Sequence, residues 1–123
     1  MPVDKISMAP EYLMIFVSDP RAIDVPMQGE KRGIRATGEC ITIPCLYWND
    51  GDTTVTMGSF AEVDQRRTAD FDTVIETPSR RVVVTDVAMK QYAGQAVSNV
   101  KTRVRIWINH PTEPDEVVIA IGD

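Results

Sequence analysis

The side chains of this chain that could do chemistry are its carboxylates, one histidine and two cysteines. Asp50 and Asp52 form one alternating pair, Asp70 and Asp72 another, and Glu113, Asp115 and Glu116 a third group. Alternating carboxylates in loops at one end of a β-fold can hold calcium through oxygen ligands. Two that faced each other across a cleft would supply an acid and a base for hydrolysis. In a chain with 18 acidic residues the same spacing arises without any site, and solvated loop charge is the simpler reading. A calcium- or small-ligand-binding protein using Asp50, Asp52, Asp70 and Asp72 is kept as the alternative, and a hydrolase with an unrecognised site as the third reading. His110, the single histidine, precedes Pro111 and has no nucleophile motif beside it. It reads as a turn residue, and no catalytic residue is assigned.

Cys40 and Cys45 would stand about 16 Å apart in extended chain. A disulfide spans roughly 4.4–6.8 Å between Cα atoms, so the two should not bridge each other. With one histidine in the chain they also lack four convincing zinc ligands, and they read as thiols in or beside the core. There is no glycine-rich phosphate loop. Gly29, Gly33 and Gly38 mark a connection that Arg32 and Arg35 make basic. No metal is assigned and no cofactor is implied.

Recognition is better served than catalysis. In "VKTRVRIWIN" an extended chain puts Val104, Ile106 and Ile108 on one side and Arg103, Arg105 and Trp107 on the other. Arginine and tryptophan are enriched at interface hot spots, so Arg103, Arg105 and Trp107 are the candidate binding residues. The competing reading is packing within the domain, through cation–π contact and acidic neighbours on adjacent strands.

Val, Ile and Thr runs broken at short intervals by turn signals predict an all-β protein, an antiparallel β-sandwich of about seven or eight strands. Strands are expected at Tyr12–Ser18, Glu39–Trp48, Thr53–Ser59, Thr73–Thr77, Arg81–Thr85, Thr102–Asn109 and Val117–Ile121. The last two should pair antiparallel. Asp50-Gly51 suits a two-residue turn that would set Trp48 opposite Thr53, Leu46 opposite Val55 and Pro44 opposite Met57. Pro44 falls where the apolar side changes and is expected to mark a bulge. Pro78-Ser79 is expected to join a second short hairpin. The segment 86–94 reads equally as a short helix, capped by Thr85 or Asp86 and stopped at Gly94, or as an irregular strand.

The 123 residues suit a single domain, 1–123, with no linker or repeat. Hydrophobic residues make up 43%, enough for a core without a disulfide or metal. A net charge of −5 argues against general attraction to nucleic acid. The longest apolar run near the N-terminus, Tyr12 to Val17, is too short for a signal peptide or a membrane span. A cytoplasmic location and no membrane partner are therefore expected. Open sheet edges make a homodimer a further expectation.

The order of segments carries a family resemblance. A β-run from Ile6 to Ser18 leads through a loop to "GIRATGECITI", then "DTTVTMG", "FDTVIETPSRRVVVTDVAM" and a final hairpin from "KTRVRIWIN". This resembles the small bacterial inhibitors of the competence nuclease and their relatives across most of the chain. "SNVKTRVRI" stands where that family usually has a Gly-Asp/Arg-Tyr turn. The resemblance implies a β-sandwich that binds another protein, and it carries no functional residue over. The expected function is a non-enzymatic protein-binding module, an inhibitor or immunity-like partner acting through a sheet face or edge.

Overall fold

The computed structural model describes residues 3–8, 14–21, 34–45, 51–86, 90–110 and 114–122. In chain order the described elements are β1 (Asp4–Met8), β2 (Met14–Ser18), β3 (Arg35–Ala36), β4 (Cys40–Pro44), β5 (Thr53–Ser59), α1 (Phe60–Val63), β6 (Phe71–Glu76), β7 (Arg81–Asp86), β8 (Gln91–Ala96), β9 (Lys101–Ile108) and β10 (Glu116–Ile121). They form two five-stranded sheets, ordered β1-β5-β10-β9-β6 and β3-β4-β2-β7-β8. The protein is mostly β. One hydrophobic cluster takes side chains from both sheets, among them Ile15, Ile41 and Val84 from the second and Met57, Ile106 and Ile119 from the first. Gln95 of β8 also reaches across, donating its side-chain N–H to the Met57 carbonyl of β5 at 2.9 Å.

β9 and β10 pair antiparallel as expected, with Val117 opposite Ile108 and Ile119 opposite Ile106. The first sheet is mixed rather than antiparallel, because β10 also runs parallel to β5, from Glu116 opposite Thr54 to Ile121 opposite Ser59. Parallel pairs usually sit where both faces are covered. The run "VVIAI" meets that condition, since Val117, Ile119 and Ile121 enter the main cluster while Val118 and Ala120 enter a smaller one on the outer face.

Two expected hairpins do not form. β4 lies in the second sheet and β5 in the first. Pro44 pairs with Met14, and Met57 pairs with Asp4 and Ile119. Leu46, Trp48 and Asp50 fall outside the described residues. β4 ends at Pro44 with its register to β2 unbroken, so the described strand contains no bulge there. All five of its residues are buried, whereas β5 alternates. Turn chemistry says that the chain reverses, not that the flanking strands share a sheet.

Pro78-Ser79 shows the same thing. Its turn carries the chain from β6 in the first sheet to β7 in the second. Thr77 holds the crossing, donating its hydroxyl to the Asn99 carbonyl at 2.8 Å and lying 2.9 Å from the Thr102 hydroxyl. Asp19, only 2% exposed, accepts the backbone N–H groups of Arg21 and Ser79 at 2.8 and 2.7 Å. Its buried charge thereby has partners.

Of the two readings of the segment 86–94, the irregular strand and not the helix is what the described residues show. β7 runs to Asp86 and β8 starts at Gln91, with 87–89 outside the described residues. The Asp86 carboxylate accepts Lys90 N–H at 3.0 Å and the Tyr92 hydroxyl at 2.8 Å, so it closes a strand connection instead of capping a helix. A register shift between Val84 and Thr85 absorbs the irregularity. The short helix lies instead at Phe60–Val63. It starts from a Ser-x-x-Glu pattern, in which Glu62 accepts the Ser59 N–H at 3.3 Å and its hydroxyl at 2.7 Å. The Ser59 hydrogen bond holds the Glu62 carboxyl below its ordinary range.

Candidate site on the outer face of the first sheet

β9 positions Arg103, Arg105 and Trp107 on one side of its pleat, as the alternation predicts, and their surroundings differ. Trp107 is 2% exposed. α1 follows β5 directly and lies over the sheet there, so Val63, Trp107, Val118 and Ala120 form a second small core with Phe60 packed against it. The Trp107 ring stacks on Phe60 with centroids 6.3 Å apart and planes 19° apart. Its indole N–H donates to the Arg67 carbonyl at 2.9 Å, meeting the usual need of a buried tryptophan for a polar partner. Gly58 lets this cap close down. A Cβ there would lie 3.0 Å from Val63 Cγ1 and 3.1 Å from Val3 Cγ2.

Arg105 is half-buried, with its guanidinium carbon 3.7 Å from the centroid of the Phe60 ring. Phe60 therefore contacts Trp107 through its ring and Arg105 through a cation–π contact. Arg103 stands further out on the strand. It donates to Asp72 of β6 through Nε at 3.0 Å and Nη2 at 2.7 Å, a bidentate pair on exposed ground. This Arg103 hydrogen bond lowers the Asp72 carboxyl from its ordinary range, with the charges of Arg103 and Arg105 adding to the effect. Val74, the next residue on that side of β6 and opposite Arg103, is 52% exposed.

Among the described residues the acidic side chains do not gather into one site. Asp70 accepts two hydrogen bonds from Arg67, at 3.3 and 3.1 Å, and one from the Ile108 N–H at 2.8 Å. Burial pushes its carboxyl up, but these donors outweigh that and the net direction is down. Asp72 is held by Arg103, Asp52 is exposed, and Asp50 lies outside the described residues. Asp115 closes the β9–β10 connection with Asn109, while Glu113 is outside the described residues. Among the described residues no three His, Cys, Asp or Glu side chains are grouped to hold a metal ion. Cys40 and Cys45 are buried and unbridged. His110 is exposed at the rim of a cavity of about 420 Å³, shared with Asp70, Asn109, Ile34, Phe71 and Ile108. Among the described residues no helix is long and apolar enough to cross a membrane.

Sequence reasoning passed over Phe60 and the cap it makes. The signals were the Ser59-Phe60-Ala61-Glu62 capping pattern and the unbroken apolar run of β10, whose second side needs a cover.

A two-sheet β protein carrying an arginine–aromatic surface on one sheet is the class that these observations define. Its fold is similar to that of ComJ from Bacillus subtilis, described as the inhibitor of the DNA degrading activity of NucA. That likeness has a TM-score of 0.68 and 8% identity, over 98% of this chain and 95% of that one. The chain is also similar to a protein described as crocagin biosynthetic gene J, with a TM-score of 0.51 and 12% identity over 99% and 98% of the two chains. The resemblance to the competence nuclease inhibitors thus extends to three-dimensional structure. No family model matches the chain, and no curated protein matches it.

Proposed function

We propose that the chain is a non-enzymatic protein-binding module of the inhibitor type, working through the outer face of its first sheet. The observation that carries this reading is the fold shared with ComJ over 98% of the chain. A nuclease is the first partner class to try, because ComJ is described as inhibiting one. In this reading the two sheets are the layers of a sandwich, and the chain acts in the cytoplasm as one domain.

Arg103 and Arg105 make the contact, and Trp107 acts from beneath by holding Phe60 under Arg105. The platform suits recognition because its parts are already fixed before binding. Phe60 and Arg105 are in contact and Arg103 is clamped by Asp72, so little side-chain freedom is left to lose. An arginine truncated at the centre of such a contact costs on the order of 2 kcal/mol of binding.

The test is capture from extracts of the native host, comparing wild type with an Arg103→Ala/Arg105→Ala double variant. Trp107 is left intact so that the fold survives, and the variant's melting curve checks this. A protein retained by the wild type and lost by the variant is the expected result. The same set retained by both would overturn the reading.

A further inference from the structure

We propose that Arg67, paired with Asp70, is a positioning residue for the binding face, its guanidinium fork clamping the chain that leaves α1 onto β9 so that Phe60 stays under Arg105. The proposal rests on the binding-module reading and names what holds its contact surface in shape before a partner arrives.

A helix of four residues does not place itself. Starting a helix fixes several residues for a single hydrogen bond and is unfavourable. At its end α1 closes one such bond, from the Asp64 N–H to the Phe60 carbonyl at 3.0 Å. Phe60 is its first residue, so the position of the ring is set by what holds the chain on either side. Upstream, Glu62 and Ser59 fix the start, and Gly58 lets it close onto the sheet. Downstream, the chain has to be returned to β9 before β6 begins at Phe71.

Arg67 makes that return. Its main-chain carbonyl accepts the Trp107 indole N–H at 2.9 Å. Its guanidinium donates to the Ile108 carbonyl at 3.3 Å and to both carboxylate oxygens of Asp70 at 3.3 and 3.1 Å. Asp70 in turn accepts the Ile108 N–H at 2.8 Å. One ion pair thus engages both main-chain groups of Ile108, and one arginine ties consecutive residues of β9. Ala69, between the partners, packs against the small core of Val63 and Trp107. A lysine would keep the charge but not the fork that spans these acceptors.

The clamp contributes geometry more than stability. The Arg67 side chain is 49% exposed, and exposed ion pairs add little to folding stability. The core beneath supplies that through Val63, Trp107 and Val118. Phe60 is only partly buried, yet it touches both Trp107 and Arg105. Without the clamp the core stays closed, but the Phe60 ring and Arg105 are free to take other rotamers. A partner would then have to order them on binding, at a cost in affinity.

The experiment uses the full chain and reads Arg105 and Trp107 by NMR. In the wild type the Phe60 ring should displace the Arg105 guanidinium signals, and the Trp107 indole N–H should exchange slowly. Arg67→Ala should remove about half or more of that displacement and speed indole exchange by about tenfold. Its melting temperature should fall by less than about 5 °C. Arg66→Ala takes away the neighbouring exposed arginine side chain without touching the pair, and both signals should stay as in the wild type. Arg67→Lys should recover only part of the wild-type values. Unmoved signals in Arg67→Ala, equal movement in Arg66→Ala, full recovery in Arg67→Lys, or a melting fall beyond about 5 °C would overturn the proposal. A protein lost by Arg103→Ala/Arg105→Ala should bind Arg67→Ala about tenfold more weakly than wild type, and undiminished binding would overturn it as well. If the signals stay put while that protein is still lost by the double variant, the clamp fails and the binding-module reading stands. If the signals move and the wild type captures no protein, that reading fails while the hold on Phe60 stands.

Discussion

Trp107 and Arg103 stand on the same side of β9, four positions apart, yet serve different ends. Around Trp107 the outer face is roofed by α1 and has become a second core. Around Arg103 the same face is exposed, with the ion pair to Asp72 and the exposed Val74 beside it. One strand thus supplies a core at one end and, in the proposed reading, a contact surface at the other. A residue type enriched at interfaces is an interface residue only where nothing in its own chain covers it.

Substitutions should separate the two ends. Trp107→Ala is expected to cost about 3–5 kcal/mol of folding stability, as large-to-small changes at buried aromatics do. It leaves the Arg67 carbonyl without its indole partner as well. Denaturant unfolding measures this, and a loss below about 1 kcal/mol would show that the roof is not a core. Gly58→Val drives a side chain into Val63 and Val3 and should cost about 1–3 kcal/mol by overpacking. Phe60 should become more accessible to solvent in that variant.

At the exposed end the expected effects on folding are small. Arg103→Ala should change stability by less than about 1 kcal/mol, because its ion pair is solvent-exposed, while binding suffers far more. The pH dependence follows from the same pair. The folded-state pKa values of Asp72 and Asp70 are lowered. Their contribution is therefore present above the ordinary carboxylate pKa of about 4 and is lost as pH falls through the lower folded value. A melting series from neutral pH to about pH 2 should show this loss, less than about 1 kcal/mol per exposed pair. Arg103→Ala should remove the Asp72 share.

What the sequence made legible was local. The alternation in Lys101–Asn109 and Val117–Ile121 identified β9 and β10 and their pairing, because one buried face repeats every second residue. Crossings between sheets were not legible. Asp50-Gly51 and Pro78-Ser79 look like hairpin turns, but whether a turn returns to the same sheet depends on long-range pairing. The parallel contact of β5 with β10 was hidden for the same reason. β8, "QYAGQA", lacks β-branched residues, and its valine-rich neighbour β7 makes it a strand. In the candidate site, the shared side of Arg103, Arg105 and Trp107 was visible. Packing within the domain was also legible as the competing reading, and the Arg105–Phe60 and Arg103–Asp72 contacts agree with it; the element that buries Trp107 was not, because it is a four-residue helix from elsewhere in the chain.

The most direct test of the central claim is amide hydrogen exchange of the whole chain with and without a protein captured by the wild type. The account expects slowed exchange on β6 and on the Arg103–Arg105 part of β9, with β2, β4 and β7 unchanged. Protection on the second sheet, with β6 and β9 unaffected, would contradict it.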